Sequence, residues 1–177
     1  MELAVNGSPA YAYTGGKAFD PALPVVVLIH GAQQDHSCWH LQARSLAYHG
    51  RAVLAPDLPG HGRSAGPPLP SVEAISAWVL ALMDAVGVDR AALVGHSMGS
   101  LVALETAGSH PGRVTRLVLV STAVPMPVDD DGPIARRDQL DADRERPLRP
   151  FALHRRDDYA LTTRRIESNA PPSRTQA

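Results

Sequence analysis

The pentapeptide Gly95-His96-Ser97-Met98-Gly99 places one serine two positions from a glycine on either side. A short apolar run precedes this segment and another follows it, so the serine stands between a predicted strand and a predicted helix. That arrangement is typical of a nucleophile elbow, a sharp turn that presents the serine hydroxyl. A presented serine that loses its proton to a base can attack a carbonyl carbon. We therefore predict Ser97 as a catalytic nucleophile, with a plain glycine turn as the alternative.

A second glycine turn, at His30-Gly31-Ala32, follows another apolar run. We expect it to bring the Ala32 N–H close to the Met98 N–H at the start of the predicted helix. Two N–H groups that point to one spot stabilise the oxyanion of a tetrahedral intermediate. We predict Ala32 and Met98 as oxyanion-hole donors. For the turn at Ala32 the alternative is a simple turn that ends the strand. His30 is expected to form a structural hydrogen bond rather than to act as a base.

A third turn spans residues 57–64 and contains one proline and two glycines, which predicts a shaped loop. Asp57 is expected to bind backbone N–H groups in this loop. A catalytic role for Asp57 or His61 is the less favoured alternative. Trp39 and Trp78 are expected to lie in the core or in a pocket wall.

The elements that must position these turns alternate along the chain. Apolar runs predict strands buried on both faces at residues 25–29, 52–55, 91–94 and 117–120. Helical spacing predicts helices at residues 37–49, 72–86 and 97–107. The second of these has Ser71 as its predicted N-cap and Gly87 as its stop. The pair Asn6-Gly7 predicts a hairpin between residues 2–5 and 10–14. This order predicts an α/β protein with a mostly parallel sheet flanked by helices.

The composition is that of a soluble globular protein, with 44% hydrophobic and 20% charged residues and a formal net charge of -1. Nothing in this balance indicates a nucleic-acid or membrane partner. The single cysteine, Cys38, cannot form an internal disulfide. The first residues have neither the basic start nor the apolar core of a signal peptide, and we expect a cytoplasmic protein.

The character of the chain changes near residue 128. Twenty of the last 49 residues are charged, against 15 of the first 128, and no strand-like run lies in the later part. We therefore predict an incomplete core over residues 1–128 and a partial cap-like or aberrant helical tail over residues 129–168. Residues 169–177 are expected to be disordered.

In combination, the three glycine turns resemble the α/β-hydrolase superfamily, in its serine-nucleophile, esterase-like branch. The segments that carry the resemblance lie within residues 20–128 and read VVVLIHGAQQDHSCW, LAPDLPGHGRS, AALVGHSMGS and HPGRVTRLVLVSTAVP. The resemblance implies Ser97 as nucleophile, Ala32 and Met98 as oxyanion-hole donors, and a small-molecule acyl substrate. It implies neither a metal nor an organic cofactor. A serine at the elbow argues against the dehalogenase and epoxide-hydrolase branches.

In that family the catalytic acid and histidine come from two strands that follow a helical cap. The last strand predicted here ends at residue 120, so we expect an α/β-hydrolase fold that lacks its last two strands. The exposed sheet edge would then offer a route to oligomers. Among the histidines after Ser97, His110 is expected at a helix end and His154 lies in a charged segment. The alternative triad combines His154 with Asp129, Asp130 or Asp131.

The function expected from these residues is hydrolysis of small carboxylic esters, lactones or thioesters by acyl transfer to Ser97. One alternative is a truncated or frame-shifted remnant without catalytic activity. Another is a non-catalytic binding module that uses the same pocket or the sheet edge.

Overall fold

The computed structural model describes residues 1–122, 127–128 and 149–150. The predicted helical tail (residues 129–168) and the predicted disordered end (residues 169–177) lie outside the described residues, except for the pair 149–150. The candidate triad members Asp129, Asp130, Asp131 and His154 lie outside them too.

Within the described residues, six strands form one sheet: β1 (Glu2–Val5), β2 (Ser8–Tyr13), β3 (Val25–Ile29), β4 (Ala52–Pro56), β5 (Ala91–His96) and β6 (Val114–Val120). Their spatial order is β1-β2-β4-β3-β5-β6, with β3 to β6 parallel and the hairpin strands antiparallel. The α-helices are α1 (His40–Tyr48), α2 (Val72–Ala85) and α3 (Met98–Ser109). The predicted mostly parallel α/β sheet flanked by helices is confirmed.

The N-terminal hairpin turns at the predicted pair. Asn6 and Gly7 both have positive φ angles, 50° and 77°, and Val5 pairs directly with Ser8. A two-residue hairpin turn of the favoured hand requires positive φ at both central positions, which explains the Asn-Gly pair. The second strand begins at Ser8, two residues earlier than predicted.

Two apolar layers cover the sheet, and β3 supplies side chains to both. Val25, Val27 and Ile29 pack in the layer that contains α2 and α3. Val26 and Leu28 pack in the layer that contains α1. Since side chains alternate across a strand, only an uninterrupted apolar run can fill both layers.

Helix α2 begins at the predicted residue and ends one residue earlier than predicted, with Val86 as its C-cap. The Ser71 hydroxyl accepts a hydrogen bond from the Ala74 N–H at 3.1 Å and so caps the first turn. Gly87 follows the helix with a φ of +71°, a conformation that glycine adopts without a steric cost. Helix α1 differs from its prediction, since residues His36–Trp39 form a 3₁₀ turn before it.

Strand β6 begins three residues earlier than predicted and exposes apolar side chains. Val118, Leu119 and Val120 are between 37% and 49% exposed. A two-stranded pair, β7 (Pro127–Val128) and β8 (Arg149–Pro150), lies outside the main sheet. The expectation of no strand beyond residue 128 is therefore wrong, because a two-residue strand is too short to leave an apolar pattern. In the described part of the chain no helix has the length and apolarity to cross a bilayer.

Candidate active site

The three predicted glycine turns meet at one edge of the sheet. They follow β3, β4 and β5, which are neighbours in the order β4-β3-β5 and run parallel. The carboxyl ends of neighbouring parallel strands lie side by side, and this edge is where open α/β sheets bind ligands. The topology therefore brings the three turns together.

Ser97 sits in a strained turn between β5 and α3. Its φ and ψ angles are 52° and -119°, a backbone conformation with positive φ that residues other than glycine rarely adopt. Such a conformation costs on the order of 1–3 kcal/mol, and strained residues of this kind cluster at functional sites. The Ser97 N–H donates to the Val120 carbonyl at 2.9 Å, which ties the turn to the end of β6. The bend predicted from the sequence is present.

The two glycines of the elbow are required by close backbone contacts. A Cβ atom at Gly95 would collide with the Gly99 carbonyl group, and one at Gly99 would lie 2.6 Å from the carbonyl oxygen of His30. These neighbours are backbone atoms, which cannot rotate away as side chains can. The spacing of the glycines thus reports how tightly the elbow packs on itself and on the end of β3.

Ser100, which the sequence analysis missed, also holds the elbow. Its fully buried hydroxyl lies 2.7 Å from the Gly95 carbonyl oxygen and 3.0 Å from that of Val120, so it can donate to either. It accepts the Val120 N–H at 3.2 Å. The sequence signal was a polar residue on a helix whose other buried positions are mostly apolar or small, because buried hydroxyl groups need partners.

The two predicted oxyanion-hole residues line the same cavity. Ala32 and Met98 both belong to the wall of a cavity of about 270 Å³ at the ends of the strands. Neither backbone N–H has a hydrogen-bond acceptor among the described residues. Met98 is also the first residue of α3, where N–H groups have no partner within the helix. Within the described residues the site thus offers two donors beside the elbow that have no acceptor, and their role stays a prediction.

The rest of the cavity wall is mainly apolar. It is formed by Leu58, Pro59, Pro68, Leu69 and Ile75, with Gln33 and His61 as its polar members. The His61 Nδ1 lies 3.0 Å from the Pro59 carbonyl oxygen and donates to it as Nδ1–H. The loop after β4 is therefore the main source of this wall.

His30 has the structural role that the sequence analysis expected. Its ring is fully buried and its Nε2 accepts the Leu58 N–H at 3.1 Å. The proton therefore resides on Nδ1, which donates to the Gly31 carbonyl at 2.7 Å. Burial lowers the pKa of His30 below the ordinary imidazole value of 6.5. A neutral ring with both nitrogens engaged cannot serve as the base for Ser97.

We expect His30 to make the fold acid-sensitive. Because its pKa is lower in the folded than in the unfolded chain, the unfolded chain takes up the proton first as the pH falls below about 6.5. The free energy of unfolding should therefore fall as the pH is lowered below about 6.5. His30→Asn should flatten this pH dependence, whereas the same substitution at the exposed His110 should not. Urea denaturation between pH 8 and pH 5 measures this. Protonation of folded His30 at or above pH 6.5, observed by NMR, would contradict it.

Asp57 ties down the loop after β4, as predicted. Its buried carboxylate accepts the backbone N–H groups of His36 at 2.7 Å and Arg63 at 2.8 Å. The His36 Nδ1 also donates to it at 2.8 Å. Metal ions in proteins bind residue types such as those of Asp35, His36 and Asp57, and one potential ligand atom from each lies within 4.8 Å of the others. Three hydrogen bonds already occupy the Asp57 oxygens, which explains the cluster without a metal.

The described residues bring no base to Ser97. Each hydrogen-bonded histidine ring has a different partner, and no ring within residues 1–122 is hydrogen bonded to the Ser97 hydroxyl. His110 is exposed at the end of α3, as expected. The candidates His154 and Asp129 to Asp131 lie outside the described residues.

Comparisons with known proteins agree with this geometry. A family model described as "alpha/beta hydrolase fold" matches residues 24–166 of the chain. The chain is 41% identical over 110 residues to the dihydrolipoyllysine-residue acetyltransferase component of the acetoin cleaving system of Pseudomonas putida. That match covers 62% of this chain and 28% of the relative.

Two further proteins extend the comparison. The chain is 37% identical over 107 residues to the lipase LipV of Mycobacterium tuberculosis, covering 60% of this chain and 40% of the lipase. Its fold matches the crystal structure of epoxide hydrolase A from Mycobacterium thermoresistibile with a TM-score of 0.63 and 28% identity. That match covers 79% of this chain and 42% of that structure. The chain spans less than half the length of each of these proteins.

Proposed function

Because this chain belongs to the alpha/beta-hydrolase fold family, we propose that it is a serine hydrolase of small carboxylic esters, lactones or thioesters. The observation that carries the proposal is the strained Ser97 beside the N–H groups of Ala32 and Met98, which have no acceptor among the described residues. A lipase and an acetyltransferase component are among the similar proteins, which supports chemistry on acyl groups. The similarity to an epoxide hydrolase supports the hydrolase fold, and the serine at the elbow of this chain argues against the epoxide-hydrolase branch.

The proposed reaction begins with attack of the Ser97 Oγ on the substrate carbonyl carbon. The carbonyl oxygen becomes an oxyanion that accepts hydrogen bonds from the Ala32 and Met98 N–H groups. Collapse of this intermediate expels the alcohol or thiol, which takes up a proton, and leaves an ester on Ser97. Water then attacks that ester and releases the carboxylic acid. The proton of the hydroxyl needs an acceptor, for which His154 with Asp129, Asp130 or Asp131 remains the candidate set.

We propose that the acyl group occupies the cavity that Ala32 and Met98 line, although Ser97 itself is not one of its lining residues. The cavity wall is mainly apolar, and no lysine, arginine, aspartate or glutamate belongs to it among the described residues. A buried charge without a partner is costly, so an uncharged and mainly apolar acyl group fits best. A volume of about 270 Å³ favours a small group.

The proposal is tested by covalent labelling of the purified chain with a fluorophosphonate probe. We expect the native protein to take up label at Ser97, identified by peptide mass spectrometry, and to hydrolyse p-nitrophenyl acetate. Heat-denatured protein is the control, because an unfolded chain has no oxyanion hole to support the reaction. Equal labelling of protein that was denatured before the probe was added, or no label at Ser97 in native protein, would overturn the proposal.

A non-catalytic binding module is the second candidate. The observation that favours it is the missing contact between the Ser97 hydroxyl and any histidine within residues 1–122. Catalytic hydrogen bonds are often long before substrate binds, so this does not exclude the first candidate. A protein that binds p-nitrophenyl acetate without cleaving it and resists the probe would match the second candidate.

A further inference from the structure

The loop after β3 and the elbow after β5 must keep a fixed separation for Ala32 and Met98 to act on one oxygen atom. Each loop contains a residue with a strained backbone, Gln33 with a φ of 57° and Ser97 with a φ of 52°. The pairing of β3 with β5 extends to Ile29 opposite Gly95, before either loop begins. Beyond that pair the two strands no longer pair, so contacts between the loops must hold them together, and one of these contacts is made by a side chain.

One side-chain oxygen joins the two loops. The Gln34 Oε1 accepts the Gly31 N–H at 3.0 Å and lies 3.0 Å from the His96 Nδ1. Gly31 directly precedes Ala32, and His96 directly precedes Ser97. The amide oxygen of Gln34 therefore connects the residue before one predicted oxyanion donor to the residue before the nucleophile.

This contact also fixes the protonation of His96. An amide oxygen only accepts hydrogen bonds, so the His96 Nδ1 must carry the proton. The assignment of that oxygen rests on the Gly31 N–H, which needs an acceptor at the same place. The His96 ring meets the buried Trp39 edge-on, with ring centroids 6.4 Å apart, and this packing limits its movement.

We propose that Gln34 is a positioning residue that aligns the Ala32 N–H with Ser97 and Met98. This inference rests on the proposed function, and Gln34 acts through the two loops rather than on the substrate. Without its oxygen the Gly31 N–H loses its acceptor and the loop after β3 is free to shift. A misplacement of about 1 Å at a reacting centre can cost about 100-fold in rate.

The test compares Gln34→Leu, Gln34→Ala and Gln34→Glu with the wild-type chain. The first two remove the acceptor, and we expect kcat for p-nitrophenyl acetate to fall by about 10- to 100-fold with KM nearly unchanged. Tm should fall by a few degrees in both, because the buried Gly31 N–H is left without its acceptor. Gln34→Glu keeps an acceptor oxygen and should retain most of the rate. Gln42→Leu, the same change on the exposed face of α1, is the matched control.

Two readouts separate this inference from the proposed function. ¹⁵N NMR of the imidazole should show His96 as the Nδ1–H tautomer in wild type and Gln34→Glu, and as a mixture in the other two variants. Wild-type kcat in Gln34→Leu or Gln34→Ala would overturn the inference and leave the proposed function standing. An unreactive wild-type chain would overturn the proposed function and with it the positioning role of Gln34. An unchanged His96 tautomer in Gln34→Leu and Gln34→Ala would overturn the contact between Gln34 and His96.

Discussion

Replacing Ser97 with alanine is expected to abolish fluorophosphonate labelling and to lower ester hydrolysis by at least about 10³-fold. The variant keeps the backbone donors of Ala32 and Met98, so substrate binding should survive while the covalent step is lost. KM should therefore change little compared with kcat. Steady-state kinetics and intact-protein mass spectrometry measure the two effects.

The control for this prediction is Ser45→Ala, the same change on the exposed face of α1. It should label and hydrolyse like the wild type. Hydrolysis that persists in Ser97→Ala at a rate near that of wild type would show that another group carries the reaction. In that case the elbow would be a structural turn.

Replacing Asp57 with alanine is expected to lower the free energy of unfolding by about 3–5 kcal/mol. The change leaves the backbone N–H groups of His36 and Arg63 without their acceptor, and each buried unsatisfied donor costs about 1–3 kcal/mol. The His36 ring loses its partner as well. Urea denaturation followed by circular dichroism measures the loss.

Asp35→Ala is the matched control for the Asp57 variant. The Asp35 carboxylate accepts the Ser37 N–H at 2.7 Å in a more exposed place. Hydrogen bonding to the Ser37 hydroxyl, and then to the Ser37 N–H, lowers the pKa of Asp35 below its ordinary value. Loss of an N-cap of this kind costs about 0.5–2 kcal/mol. Equal losses in the two variants would contradict the structural role assigned to Asp57.

Much of the fold could be predicted because its signals are local. The run of Val25–Ile29 predicts its own strand, since both of its faces are buried. Gly95 predicts the elbow, because the carbonyl group that excludes a Cβ there belongs to Gly99 of the same five-residue turn. The polar cap at Ser71 predicts the start of α2 for the same reason. The Cβ at Gly99 is excluded by a distant segment, the carbonyl groups of Ile29 and His30.

The parts that could not be predicted depend on residues far apart in the chain. Gln34 and His96 are separated by 62 positions, and no local pattern links them. Ser100 contacts Val120 across two elements, which the sequence of α3 alone does not reveal. Strand β6 begins at Val114, which is followed by exposed Thr115 and Arg116, so no apolar run marks its first three residues.

Three residues, Gln33, Ser97 and Ser121, hold left-handed backbone conformations, and each follows a different one of the parallel strands β3, β5 and β6. These positive-φ residues all follow the carboxyl ends of strands, and the packed layers on the two faces of the sheet must supply the free energy that holds them there. Selection for a more stable chain would therefore act first against the geometry that exposes the reactive hydroxyl. Durability and reactivity compete in this molecule at a few backbone torsions rather than across the whole fold.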